Sequence, residues 1–552
     1  PYDCSEQLFN KFYANAIAGR IVASEPRIRA NHGKWMKDSV RGNLSRNPEL
    51  KDILLEETPW VFEARDEEGQ MRDIARLFDT VRLSKEQSTT LELLAAKQSS
   101  NGGFTWFNGG PDDRYITQYI LTGMARLKQG DAMPKELSAQ TDPMVRSALA
   151  YVRNRLVEDH REFIRMKTKP SEASIGDIQV QALYTLSAFG FEGGEPGYKE
   201  ALTHYRSLAA KGWTRMGLQA QAMTAILLHR SGDAKTPATI MKSLKERAVK
   251  SEELGMYWKS TAPRWYWQNA PIETQSMLIE AFTLLTKDAA AVSAMKQWLL
   301  TQKQTNRWSS TRSTADACHA LLMNGADWLK SDRSAEIRAG VENPMVFKGD
   351  SGAEAGTGYF KAVVDGPFVE PDLGRIEVTV KGKGGAEDAS ISWGSAYWQY
   401  FETLDRITPA QSPLSIVKRI YIERNSPKGP VLQALEEGGT YQVGDRLKVR
   451  VELRSDRDME YVHLKDMRAS GSEPLNVLSG YRRQGGLGYY ESTRDAATNF
   501  FFGYLPKGTH VFEYTLFATH EGRFSVGPAS VECMYAPEFR AHSAGMQIRV
   551  KR

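Results

Sequence analysis

Apolar residues recur at helical spacing from the start of the chain, where Leu8-Phe9-Asn10-Lys11-Phe12-Tyr13-Ala14-Asn15-Ala16-Ile17 predicts an amphipathic helix. Similar segments begin near Thr117 (TQYILTGMARL), Gln179 (QVQALYTLSAFG), Gln219 (QAQAMTAILLHRSG), Thr274 (TQSMLIEAFTLL) and Thr314 (TADACHALLMNG). Each has a polar or small start, an apolar face and a Gly or polar stop. They return every ~40 to 60 residues, about one helical hairpin, which predicts stacked helix pairs. The Gly- and Trp-rich strings Gly102-Gly-Phe-Thr-Trp106, Trp265-Tyr-Trp267 and Arg307-Trp308 are expected in loops at one end of that array. The pattern changes near residue 330. Beyond it, period-two runs such as Arg375-Ile-Glu-Val-Thr-Val380, Leu447-Lys-Val-Arg-Val-Glu-Leu453 and Gly545-Met-Gln-Ile-Arg-Val550 predict strands. The fold class is therefore multidomain, all-α followed by all-β.

Length and charge narrow the function. A chain of 552 residues exceeds one ordinary hydrophobic core, so two or more domains are expected. Its net charge of +5 comes from 72 basic and 67 acidic residues interspersed without a cationic block, which disfavours nucleic acid as a partner. No apolar run is long enough to span a bilayer, and membrane anchoring is not visible. The cysteines, Cys4, Cys318 and Cys533, are too few for a disulfide framework, and the last two read as small core residues. Neither cofactor nor metal is expected, because the nine histidines form no H-x-x-x-H pair and no C-x-x-C is present.

The chemistry is concentrated at the first residues, Pro1-Tyr2-Asp3-Cys4-Ser5-Glu6-Gln7. A thiol three positions before a glutamine amide closes an internal thioester ring of roughly fifteen atoms if the backbone turns tightly, expelling ammonia. A thiolate is a good leaving group, so an incoming amine or hydroxyl takes the Gln7 acyl group and frees Cys4. Glu6 reads as a turn and helix-entry residue. From the string alone, a structural cysteine at a helix start is an equal alternative.

Pro1 to Asn15, Asn101-Gly-Gly-Phe-Thr-Trp-Phe-Asn-Gly-Gly110 with Arg114-Tyr-Ile-Thr-Gln-Tyr-Ile-Leu121, and Pro271-Ile-Glu-Thr-Gln275 resemble the thioester domain of bacterial alpha-2-macroglobulins. Asp458-Met-Glu-Tyr-Val-His-Leu464, Glu473-Pro-Leu-Asn476 and Cys533-Met-Tyr-Ala-Pro-Glu538 resemble the family's last macroglobulin-like β-domain. The resemblance implies an α/α toroid of helical hairpins over 1–330, an incomplete CUB-like flanking β-domain over 331–408 and a β-sandwich over 409–552. It also implies a C-terminal fragment of an extracytoplasmic protease trap of the cell envelope or periplasm, with the bait segment and other domains upstream; with Pro1 so close to the motif, no signal peptide is expected. Target proteases would be captured covalently, through lysines, without turnover. The family's water shield maps to Tyr2 and Met534, beside Tyr535. This chain has Asp3 where the family usually has Gly before the cysteine, and Ser5 after it. A histidine that steers the acyl group in complement-type relatives has no counterpart among His160, His204 and His229. Two other functions stand beside the trap: a structural or binding module of the cell envelope in which no thioester forms, and an α/α-toroid carbohydrate enzyme using Asp112, Asp113 or Glu273. For the latter, helix capping by Asp112 and Asp113 and a first-turn role for Glu273 are the simpler readings.

Overall fold

The computed structural model describes residues 3–24, 80–166, 173–252, 254–259, 270–302, 308, 310–324, 334–349, 360–381, 394, 396, 398, 402–534 and 536–552. Described residues up to 381 group into one compact unit and those from 394 onward into a second.

Eleven helices are described in the first unit: α1 (Ser5–Ser24), α2 (Thr80–Ala95), α3 (Arg114–Gln129), α4 (Ser138–Arg165), α5 (Asp177–Ser187), α6 (Tyr198–Gly212), α7 (Leu218–Arg230), α8 (Lys235–Glu246), α9 (Pro271–Leu285), α10 (Ala289–Thr301) and α11 (Thr311–Met323). The five repeated segments fall in α3, α5, α7, α9 and α11. These helices pack in succession, α1 on α3, α3 on α5, α5 on α7, α7 on α9 and α9 on α11, and α11 packs on α1. The helices between them cover this set: α2 lies on α1, α4 on α3, α6 on α5, α8 on α7 and α10 on α9. Position explains composition. Every residue of α3 from Ile116 to Leu127 is buried, and so are Ile272, Glu273 and Gln275 through Phe282 of α9. A helix enclosed on all sides needs small and apolar residues around its circumference, whereas a covering helix needs one apolar stripe. In α8, accordingly, only Pro237, Ile240, Met241 and Leu244 are buried.

Where α1 crosses α3, Gly123 makes the approach possible: a Cβ there would lie 2.3 Å from the Phe9 ring. Phe9 in turn meets Tyr119 edge-on, with ring centroids 5.8 Å apart. The Trp258 and Trp308 indoles are buried and donate to the carbonyls of Leu244 and Leu299, both at 2.9 Å, so these aromatics fasten helix ends. Trp265-Tyr-Trp267 and Arg307 lie outside the described residues.

After α11 the helical pattern gives way to sheets. Strands Met345–Lys348, Ser334–Ala339 and Ile376–Lys381 form a small antiparallel sheet in that order. Phe360–Val364 carries no regular structure, and Gly358, Tyr359 and Ser390–Trp393 lie outside the described residues.

In the second unit, Ser472–Pro474, Gly508–Ala518, Arg446–Ser455, Leu414–Ser426 and Gly429–Leu435 make a five-stranded sheet. Gly480–Gln484, Leu487–Thr493, Ala497–Leu505, Met459–Met467, Ala529–Cys533 and Ala536–His542 make a six-stranded one. Alternate residues point inward, so Ile416, Ile420, Val449 and Val451 of one sheet share a single apolar cluster with Val462, Leu464, Phe500 and Val531 of the other. A third sheet, Thr440–Gln442, Met546–Lys551 and Gly522–Val526, contains a parallel pairing of its first two strands. Cys533 is buried here with its thiol donating to the Glu460 carbonyl at 3.1 Å, and Cys318 is half-buried against the helical core.

Candidate functional site around Cys4 and Gln7

α1 begins with its first helical bond, from Leu8 N–H to Cys4 carbonyl at 3.0 Å, which makes Cys4 the N-cap. Cys4 Sγ accepts the Gln7 N–H at 3.4 Å, and Gln7 Oε1 accepts the Cys4 N–H at 3.2 Å. This is the reciprocal arrangement of a capping box, with cysteine where serine or threonine is usual. The bonds satisfy two backbone donors and hold the thiol and the glutamine side chain on the same turn. Cys4 is half-buried, while Asp3 and Gln7 are exposed.

The next residue ties this turn to the helical core. Ser5 is fully buried; its N–H donates to the Trp106 carbonyl at 3.0 Å and its hydroxyl to the Thr105 carbonyl. The short strand Phe104–Thr105 is itself fixed by Thr117 of α3, whose hydroxyl accepts the Phe104 N–H at 2.8 Å. Its entry requires Gly102, at φ +92°, where a Cβ would stand 2.2 Å from the Ser147 carbonyl oxygen. The Gly-Gly-Phe-Thr-Trp string therefore forms the ledge on which the Cys4 turn rests.

Beside the ledge, Trp106 stacks on Tyr115 and Tyr115 on Tyr119, with centroids 6.2 and 6.5 Å apart. The Arg312 guanidinium lies over Tyr115 and Tyr119, 5.4 and 5.5 Å from their centroids. Tyr119 donates to Asn10 Oδ1 at 2.6 Å, tying the ladder back to α1. Burial holds the Glu6 carboxyl above its ordinary pKa, opposed by Arg312 and assisted by Glu273 and Asp316. Burial also raises Glu273, against Arg312; its carboxylate accepts the Ser313 hydroxyl at 2.8 Å. Neither Arg312 nor the tyrosine pair was singled out from sequence. Their signals are the i, i+4 spacing of Tyr115 with Tyr119 and of Arg312 with Asp316, which places each pair on one helix face.

Of the expected site residues, Cys4 and Gln7 are brought together. Tyr2 and Tyr535 lie outside the described residues. Met534 follows the strand Ala529–Cys533 in the second unit, half-buried, its N–H donating to the Tyr461 carbonyl at 2.9 Å. Among the described residues no group of His, Cys, Asp or Glu is arranged to hold a metal ion. His160 and His204 meet ring to ring at 4.9 Å on α4 and α6, and His229 is in α7.

The rival carboxylates have structural duties. Asp113 caps α3, accepting the Ile116 N–H at 2.9 Å. Asp112 accepts bonds from Asn101 and Arg155, each at 3.2 Å; a Tyr151 hydrogen bond is the largest influence lowering its pKa, with partial burial opposing it. Glu273 stands in the first turn of α9, after Pro271 at its start.

Residues 414–538 match the family model for the bacterial alpha-2-macroglobulin MG10 domain. No curated protein matches the chain. Among solved structures it is similar to trypsin-activated alpha-2-macroglobulin from Escherichia coli at 13% identity and TM-score 0.36, covering 86% of this chain and 30% of that one. The native E. coli protein from domain MG7 to the C-terminus matches at 13% identity and TM-score 0.33, covering 100% and 74%. Salmonella alpha-2-macroglobulin reacted with methylamine matches at 14% and 0.32, covering 100% and 30%. The chain thus spans 30% of the trypsin-activated E. coli relative and of the methylamine-reacted Salmonella one. Over residues 414–538, the chain is similar to the MG10 domain of bacterial alpha-2-macroglobulins.

Proposed function

We propose that this chain is the thioester-bearing C-terminal part of a bacterial alpha-2-macroglobulin-type protease trap. The observation that carries the reading is the pair of reciprocal hydrogen bonds between Cys4 and Gln7, in a chain with an MG10 region. Thioester closure joins Cys4 Sγ to Gln7 Cδ and releases ammonia. Capture is the same acyl exchange run the other way: a lysine amine of the prey adds to Cδ, the C–S bond breaks, and the amine's proton passes to the departing thiolate. One amide forms and one thiol is freed, so each molecule acts once and is not an enzyme. Direct aminolysis fits an environment in which the hydrogen bonds at Cys4 and Gln7 come from the turn itself.

The same proposal assigns water exclusion to Tyr2, Met534 and Tyr535. It divides the chain into a thioester domain (1–330), a CUB-like flanking domain (331–408) and a macroglobulin-like sandwich (409–552). It also reads the helical part as an α/α toroid; the packing of α11 back onto α1 supports closure. Upstream domains carrying the bait segment and an extracytoplasmic location belong to the same reading. Among the described residues no helix is long and apolar enough to cross a membrane.

Intact mass tests it. Gently prepared parent protein should be lighter than its sequence by one ammonia, and methylamine should add its own mass to Gln7 while exposing one alkylatable thiol. A second reading, a structural module with no thioester, is favoured by the capping box itself, since that geometry serves a helix N-terminus without further chemistry. Under it the mass is unmodified, Cys4 alkylates without methylamine, and no protease becomes linked.

A further inference from the structure

Lys418 and Asp466 face each other between the two sheets of the sandwich. Lys418 has the inward parity of Leu414, Ile416, Ile420 and Ile422, and Asp466 that of Val462 and Leu464. Their side chains retain 4% and 0% exposure, and Nζ lies 2.5 Å from Asp466 Oδ1. A buried ion pair of this kind repays its desolvation only when its hydrogen bonds are well directed. This one is not: Oδ1 accepts no aligned hydrogen bond despite the close contact. Nζ instead donates to the carbonyls of Met467 at 2.5 Å and Gly527 at 3.0 Å. Asp466 Oδ2 accepts the Tyr514 hydroxyl at 2.6 Å. Burial, then the Asp466 charge, hold the Tyr514 pKa well above its usual value, so that hydroxyl remains a donor.

This is the geometry of an acyl acceptor and donor. One proton passed from Nζ to Oδ1 leaves an amine whose two remaining hydrogens have the Met467 and Gly527 carbonyls as acceptors. Tyr514 polarises the other oxygen, as an oxyanion donor does.

We propose that Lys418 and Asp466 condense into an intramolecular amide that staples the two sheets of the sandwich. Nζ bonds to Asp466 Cγ, the Cγ–Oδ1 bond breaks, and Oδ1 leaves as water with its own hydrogen and one from nitrogen. Oδ2 remains as the amide oxygen on Tyr514, and the remaining N–H keeps one backbone carbonyl. No oxidant, metal or second molecule enters the balance. The surrounding core, including Phe500 with its ring 6.0 Å from that of Tyr514, limits return of water.

The inference is independent of the thioester and is tested with that bond removed. The full chain carrying Cys4→Ala should be lighter than its sequence by one water, and its digest should contain a branched peptide joining Lys418 to Asp466. Asp466→Asn in the same background should lose one ammonia instead, a change that a purely structural ion pair does not produce, and Lys418→Met should restore the full sequence mass. A folded Cys4→Ala chain at full sequence mass, or a water loss mapped to other residues, overturns the proposal.

Discussion

Arg126 in α3 and Glu280 in α9 stand 154 positions apart in the chain and meet through two hydrogen bonds to one carboxylate oxygen, from Nε at 3.1 Å and Nη2 at 2.8 Å. Arg126 Nη1 also donates to Asp316 of α11 at 2.7 Å, and the Tyr184 hydroxyl of α5 donates to the second oxygen of Glu280. Arg230 of α7 approaches that oxygen to 4.0 Å. The Glu280 carboxylate of α9 thus gathers polar groups from α3, α5 and α7, while Arg126 and His319 connect it to α11. The network sits inside the helical unit, with Arg126 and Glu280 side chains 9% and 5% exposed.

Removing one partner strands the other. Arg126→Met leaves Glu280 without its main counter-ion and should destabilise the helical unit by about 3–5 kcal/mol, read from the urea midpoint. The double variant Arg126→Met/Glu280→Gln should recover part of that loss, because no unpaired charge remains. A single-variant loss within the error of the measurement would show that the network carries no stability.

His319 gives the same region an acid sensitivity. Its Nε2 lies 3.9 Å from Glu280, and its pKa is lowered from 6.5 to about 3, first by burial and then by Arg126, with Glu280 opposing. The folded state therefore binds this proton more weakly than the unfolded state. The stabilisation from neutral His319 is present above the unfolded pKa of 6.5 and is lost progressively as pH falls from there toward about 3. Unfolding free energy should decline over that interval, and His319→Gln should show a shallower decline from the same titration by urea melts.

Capping and capture separate at Cys4. Cys4→Ser retains an N-cap acceptor, so thermal stability should change by no more than about 1 kcal/mol. Gln7→Glu likewise keeps a capping-box acceptor at the third helical position. Under the trap reading neither variant loses ammonia or becomes linked to a protease, which native gels with mass spectrometry would register. Covalent capture surviving in either variant would exclude a Cys4–Gln7 thioester.

Asp113→Ala removes the hydrogen bond to Ile116 N–H and should cost about 1 kcal/mol in unfolding free energy. Because Asp113 acts as a helix cap, ammonia loss and methylamine uptake in the parent protein should persist. Loss of a glycan-hydrolysing activity in this variant would instead revive the carbohydrate-enzyme alternative.

Contiguous features were legible in the sequence. The repeated segments from Thr117, Gln179, Gln219, Thr274 and Thr314 all begin inside helices of the successive packing set, one to three residues after the helix starts. They stood out because enclosed helices share a demand for small and apolar side chains all round. The strands near 376, 447 and 546 were equally visible, since one buried face imposes alternation. Cys4 and Gln7 could be paired on paper because three residues make one helical turn. What escaped was every group whose meaning depends on distant partners: Arg312 against Tyr115 and Tyr119, Glu6 beside that cluster, and Arg126 with Glu280.

The order of helices and sheets, and the presence of a thiol one turn from an amide, follow from local periodicity and spacing, which act over a few residues and leave their mark in adjacent letters. Tertiary structure alone decided which carboxylates are buried in networks, that Ser5 rests on the Thr105–Trp106 ledge, and that Lys418 lies against Asp466. Those relations are set by burial and by contact between remote segments, where desolvation and hydrogen bonding give a side chain a chemistry that its neighbours in sequence do not encode.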